Sequence, residues 1–172
     1  MIAGNGSESG PMKNRTTVER VSDREVVVTR TINGPARIVF DAFTKPELFR
    51  RWWVPKSMGM TLQSCSIDAR VGGQYRLEFD VGAPEPVAFF GSYIEVTPPS
   101  CLAWTNDEGG EGGSVTRVTF EDVGGRTLVV VTETYPTKEA LDAAGTGAQE
   151  AMFETFDQLD DLLVELGESS GS

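Results

Sequence analysis

The spacing of apolar residues changes three times along the chain, and each change predicts a different element. Residues 24–32, REVVVTRTI, are dense in β-branched side chains and read as a strand. From Pro35 the spacing becomes helical: Ala36, Val39, Phe40 and Phe43 fall at i, i+3, i+4 and i+7, and Pro35 suits a first turn. Thr44 and Glu47 then form a T-x-x-E capping box. A second short helix is expected from about Lys45 to Trp53, with Pro55 helping to stop it.

Between Met60 and Tyr135 the period falls to two. In GQYRLEFDV, Tyr75, Leu77, Phe79 and Val81 share one face, while Gln74, Arg76, Glu78 and Asp80 share the other. TLQSCSI, VAFFGSYIEV, SCLAWTN, SVTRVTFE and RTLVVVTETY continue as strands, joined through VGG, TPPS, DEGGEGG and DVGG. These six make an antiparallel meander, and the strand at 24–32 brings the sheet to seven. Beyond Pro136, TKEALDAAGTG offers a short helix broken at Gly145. Thr146 and Gln149 supply a second capping box, opening a helix of about 20 residues and roughly 30 Å. Its apolar stripe is Ala148, Met152, Phe156, Leu159, Leu163 and Leu166, with Glu150, Glu154, Asp157, Asp161 and Glu165 opposite. The expected fold class is α+β, a seven-stranded antiparallel sheet curled around one long C-terminal helix, with two short helices between strands one and two. Residues 1–22, polar and rich in Gly and Ser, are expected to be a disordered tail, as are 168–172, leaving 23–167 as a single domain.

Composition narrows the chemistry. Fifteen basic residues against 26 acidic ones give a net charge of −11, a field that repels nucleic acid and anionic membrane surfaces alike. No apolar run approaches membrane-spanning length, and the N-terminus lacks a secretory pattern, so a cytoplasmic location is expected. Histidine is absent, which removes imidazole catalysis and His-based metal sites. Cys65 and Cys101 lie far apart within strand-like segments and read as small buried hydrophobes. Neither a metal nor a cofactor is expected. The NDEGGEGG stretch at 106–113 lacks the register of a calcium loop, and the Gly72-Gly73 and Gly124-Gly125 pairs read as turns.

A sheet curled around a helix leaves a gap between them, and that gap is the candidate site. Trp52 and Trp53 sit at one end of it, with Leu48–Trp52 and Phe49–Trp53 as i, i+4 pairs; Trp52 is expected to be structural and Trp53 to lie nearer the entrance. The other candidate lining residues are Tyr75, Leu77, Phe79, Phe89, Tyr93, Trp104, Val118, Phe120, Met152 and Phe156. Tyr75, Tyr93 and Trp104 stand out because a buried hydroxyl or indole N–H needs a partner. Arg76 and Glu78 are expected on a solvated outer face. Tyr93 and Glu133 are the candidate acid–base groups, Glu133 only if it turns inward, a structural ion pair being its alternative.

The motifs PARIVFDAFTKPELFRRWW (35–53), DARVGGQYRLEF (68–79), GSYIEVTPPSCLAWT (91–105) and TETYP (132–136) occur in an order that resembles a known family. It is the AHSA-type branch, named after the activator of the heat-shock protein 90 ATPase, of the START-like, polyketide-cyclase-like (SRPBCC) superfamily. The resemblance implies a helix-grip fold over about residues 24–166 and a cavity for a small hydrophobic molecule. Relatives are often monomers or homodimers. They often carry an inward-facing histidine near the position of Thr132, so Thr132 joins the candidate lining residues. The activator's separate chaperone-binding domain is not expected here, so a chaperone role does not carry over. Carriage or sensing of a hydrophobic ligand is the expected function. The alternatives are a cyclase, lyase or hydrolase using Tyr, Glu or Arg in the same cavity, or an acidic protein-interaction module.

Overall fold

Alternating side chains build one continuous sheet whose apolar face is covered by helices. The computed structural model describes residues 16–59, 61–107, 113–145 and 147–171. The strands are β1 (Thr17–Arg20), β2 (Glu25–Ile32), β3 (Thr61–Ile67), β4 (Gln74–Asp80), β5 (Val87–Thr97), β6 (Cys101–Thr105), β7 (Val115–Val123) and β8 (Arg126–Thr134). They form an eight-stranded antiparallel sheet in the order β1-β2-β8-β7-β6-β5-β4-β3, whose two edges, β1 and β3, do not pair with one another. The expectation of seven strands is therefore corrected by one. The extra strand, TVER, falls in the segment expected to be a tail, and pairs Val18 with Val28 and Arg20 with Val26. It escapes notice because an edge strand held by backbone bonds needs no apolar period.

Helices α1 (Ala36–Thr44) and α2 (Pro46–Phe49) follow β2. α1 buries the stripe read from its sequence, Ala36, Val39, Phe40 and Phe43, and adds Ala42. α2 is shorter than expected. Lys45 is its N-cap with no side-chain bond, and the Thr44 hydroxyl donates instead to the Phe40 carbonyl at 3.0 Å, so the first capping box does not form. Arg51, Trp52 and Trp53 continue as irregular turns that donate to the carbonyls of Leu48 and Phe49.

The C-terminal part holds α3 (Lys138–Ala144), α4 (Gly147–Glu150) and α5 (Met152–Gly171). Thr146, half of the second capping box, lies outside the described residues. Gln149, its other half, turns into the core and bonds elsewhere. α5 runs through most of the stretch expected to be a C-terminal tail. Its Phe156, Leu159, Leu162 and Leu163 are buried, and it packs chiefly on β2 and α1. A buried polar contact joins α5 to the sheet. Arg30, at 3% side-chain exposure on the inner face of β2, pairs with Asp160 and, at 2.9 Å, with the more exposed Asp157 of α5.

Candidate functional site

The inner face of the sheet is read off its register. Val26 pairs with Glu133, Glu133 with Thr116, Thr116 with Trp104, and Trp104 with Tyr93, so these side chains form one row across five strands. Between this row and the helices lies a cleft of about 370 Å³. It opens onto a narrower chamber of about 80 Å³, with which it shares Phe43, Trp53, Phe89, Trp104 and Asn106. The larger space is bounded by Val118 and Val131 of the sheet and by Met152 and Phe156 of α5. Phe49, Ile67, Tyr75, Leu77 and Tyr93 enclose the chamber.

Gly91 shapes the chamber. A Cβ on this residue would stand 1.8 Å from the Thr105 carbonyl oxygen and 3.0 Å from the ring of its cross-strand partner Tyr75. Only glycine lets β5 come this close to β6 while Tyr75 lies across it.

The position of Trp53 follows from the loop that carries it. Gln158 of α5 donates to the carbonyls of Trp52 and Val54, both at 2.9 Å, and accepts from the Lys56 N–H at 3.0 Å. Trp53 stacks on Phe49 with ring centroids 4.7 Å apart and faces both parts of the cavity. Trp52 is fully buried, packs on Phe43, Phe49 and Phe156, and donates its indole N–H to the Ala42 carbonyl at 2.9 Å. The two adjacent rings therefore have different surroundings.

A chain of polar groups runs along one wall. The one hydroxyl proton of Tyr75 is shared between the Thr105 carbonyl at 2.9 Å and the Asn106 side-chain oxygen at 3.1 Å. Asn106 donates onward to Ser114 and, at 2.9 Å, to the Thr116 hydroxyl. Thr116 donates to one oxygen of Glu133, and Gln149 donates to the other at 3.1 Å and to the Tyr135 hydroxyl at 3.0 Å. Burial pushes the Tyr135 hydroxyl above its ordinary pKa, against the Gln149 bond, which lowers it, and with the help of the Glu133 charge. Burial raises Tyr93 strongly, with smaller contributions from Cys65 and Asp68. Cys65 is also raised, mainly by burial.

These shifts carry a stability prediction. A phenol whose folded-state pKa is raised keeps its proton where the unfolded chain, near pH 10, has lost it. The folded state binds more protons there, so stability falls as pH rises above about 10, after an earlier and smaller loss from the Cys65 thiol. Thermal midpoints measured between pH 8 and pH 12 should show this decline, and Tyr93→Phe should flatten its steepest part. An unchanged decline in Tyr93→Phe would place its source elsewhere.

Of the residues singled out in the sequence, Trp53, Tyr75, Leu77, Phe89, Tyr93, Trp104, Val118, Met152 and Phe156 border the cavity. Trp52, Phe79 and Phe120 do not: they face inward but are covered, Phe79 against Phe89 and Phe120 against Phe40 and Phe43. Thr132 is on the opposite face of β8, between Val27 and Arg117, and the inward position is Glu133, one residue on. Strand alternation makes that single step a change of face. Phe43, Phe49, Ile67, Val131 and the polar residues Asn106, Ser114, Thr116 and Tyr135 border the cavity without having been anticipated. Among the described residues, no group of three Cys, Asp or Glu side chains is placed to hold a metal ion. No helix among them is long and apolar enough to cross a membrane.

Residues 33–164 match the family model described as Activator of Hsp90 ATPase homolog 1-like protein. The chain belongs to this family. Solved structures of bacterial proteins share the fold. A protein from Rhodobacter sphaeroides is 22% identical, with a TM-score of 0.78 over 88% of this chain and 99% of its own. One from Staphylococcus epidermidis is 27% identical, with a TM-score of 0.70 over 87% and 94%. An AHSA1-like protein from Aeromonas hydrophila is 19% identical, with a TM-score of 0.62 over 84% and 94%. No curated protein matches the sequence. Family membership accounts for the sheet gripping a C-terminal helix.

Proposed function

We propose that this protein binds one small hydrophobic molecule between its sheet and C-terminal helix, as a cytoplasmic carrier or sensor. The observation that carries the reading is the cleft of about 370 Å³, walled by Phe43, Trp53, Trp104, Val118, Met152 and Phe156 and edged by a single polar strip. Small-molecule sites are typically of about 300–1,000 Å³, mostly apolar, with a few convergent polar groups that fix orientation. Native mass spectrometry of the protein purified from its own cells is the direct test. A stoichiometric organic adduct that is lost on denaturation is the expected result, and a clean apo mass together with a co-purifying protein partner would overturn it.

A catalytic reading of the same cavity has one observation in its favour. Glu133, a carboxylate, stands at the cavity wall beside the raised hydroxyl of Tyr135, joined to it through Gln149. Such a pair suits proton transfer to or from a bound molecule. Turnover of the co-purified molecule, abolished in Glu133→Gln, would make the carrier an enzyme.

A further inference from the structure

Three polar rings of the sheet border the narrow chamber, and they are not equally satisfied. The Tyr75 proton goes to the Thr105 carbonyl and the Asn106 side chain. The Tyr93 hydroxyl and the Trp104 indole N–H have no hydrogen-bond partner among the described residues. Tyr93 is the sharper case. The residue is 4% exposed, yet its hydroxyl is not sealed in protein as Arg30 Nε and Gln149 Oε1 are. The open space that Tyr93 borders is the chamber. A buried hydroxyl left in this state is costly and calls for a partner. The ring is also held in place. Trp104, its cross-strand partner, stands edge-on with centroids 6.2 Å apart, and Tyr75 stands edge-on at 5.9 Å. A hydroxyl fixed in this way is preorganised for what enters the chamber.

Proton count and charge identify the chemistry of that partner. Burial raises the Tyr93 pKa strongly, so the phenol keeps its proton and can donate it. The Trp104 indole N–H can only donate. The Asn106 oxygen already accepts the Tyr75 proton, so a ligand hydroxyl would bring a further proton to a wall whose unmet groups are donors. A carbonyl oxygen brings two lone pairs and no proton. Among the described residues, no charged side chain borders the chamber. An ion of either sign would lose its water there with no counter-charge on the wall. An anion would also meet the field of the net charge of −11.

We propose that the chamber seats a neutral carbonyl oxygen of the ligand, bonded by the Tyr93 hydroxyl, while the apolar body of the ligand lies in the adjoining cleft. This inference rests on the cavity-binding reading above and adds the head group to it. The chamber, at about 80 Å³, suits a head group, and the cleft of about 370 Å³ takes the rest. The test uses four probes with one apolar body and different heads: acetylnaphthalene, naphthylethanol, ethylnaphthalene and naphthoate, each titrated near neutral pH. The ketone is expected to bind tightest, about fivefold over the hydrocarbon, the factor for one neutral hydrogen bond of ordinary net strength. The alcohol should fall between these two, and the carboxylate should bind weakest. In Tyr93→Phe, which keeps the ring and removes the donor, the ketone-to-hydrocarbon ratio should fall to about one. The infrared carbonyl stretch of bound acetylnaphthalene, isotope-labelled at the carbonyl, should lie at lower frequency than in an aprotic solvent and should move back in the variant.

Binding of the hydrocarbon as tightly as the ketone would mean that water meets the Tyr93 hydroxyl, and would overturn the carbonyl assignment while leaving the cavity reading standing. An alcohol or carboxylate that binds tighter than the ketone would overturn it too, as would a ketone preference that survives in Tyr93→Phe. Failure of all four probes to bind would remove the cavity reading and the carbonyl with it. The wild-type series and the carbonyl stretch decide the head group if the variant does not fold.

Discussion

Asp160→Ala is expected to destabilise the protein by about 3–5 kcal/mol, the range for removing one partner of a buried ion pair. Arg30 is held at 3% side-chain exposure by the inner face of β2 and cannot be rehydrated without opening the sheet-to-helix contact. Asp160 both pairs with its guanidinium and accepts the Asn33 backbone N–H at 2.8 Å, so its loss leaves unmet groups on two elements. The neighbouring Asp157 also reaches Arg30, at 2.9 Å, but its side chain is 45% exposed. An exposed partner is screened and contributes about 0–1 kcal/mol, so Asp157→Ala should be nearly neutral. Urea unfolding of both variants separates the two roles. Equal and small effects would mean that Arg30 is satisfied by solvent and that the pair does not fasten α5 to the sheet. The Arg30 Nε is buried without a hydrogen-bond partner, so the contact is an incomplete one, and its value lies in fixing where the helix sits.

The pattern of side chains made most of this fold legible. Period two over β4 through β8 and the i, i+3, i+4, i+7 stripes of α1 and α5 are statements about which face is buried, and burial is what a sheet gripping a helix depends on. β1 was hidden because four residues with one half-buried valine have no period to detect. The capping box at Thr44 failed because the sequence permits two local bonds there, and the hydroxyl takes the one inside its own helix, to Phe40.

The candidate site was less legible, for reasons of register and context. Thr132 and Glu133 differ by one residue, and alternation sends them to opposite faces; only the pairing of β8 with β2 and β7 says which turns inward. Phe79 and Phe120 carry the right periodicity, yet periodicity cannot tell a ring that borders a space from a ring covered by another ring. Asn106 sits at the mouth of a glycine-rich stretch, and its composition reads as a loop. Its bonds to Tyr75, Ser114 and Thr116 make it the link between the two halves of the polar wall, and those partners meet only in three dimensions. A Gln149 directed at Glu133 and Tyr135 is likewise invisible beside a T-x-x-Q that reads as a cap.

The adjacent tryptophans should respond to the same substitution in opposite ways. Trp52→Leu removes a fully buried ring from between Phe43, Phe49 and Phe156 and leaves the Ala42 carbonyl without its indole donor. Lost packing and an orphaned acceptor together are expected to cost about 3 kcal/mol. For a chain of this size that lowers the thermal midpoint by on the order of 10 °C. Trp53→Leu removes a half-buried ring that borders the cavity, so its midpoint should move much less. Its loss should fall on binding instead. The ring's face is worth about 0.5–1.5 kcal/mol to an aromatic ligand beyond area burial, and affinity for a naphthyl probe should drop about tenfold. Quenching of tryptophan fluorescence by that probe should also be smaller in Trp53→Leu than in the wild type, although Trp104 still borders the same space. Melting curves and titrations of both variants give a two-by-two result. Stability lost equally in both, with affinity per folded molecule unchanged, would make the pair core packing throughout and would leave Trp53 no part in the entrance.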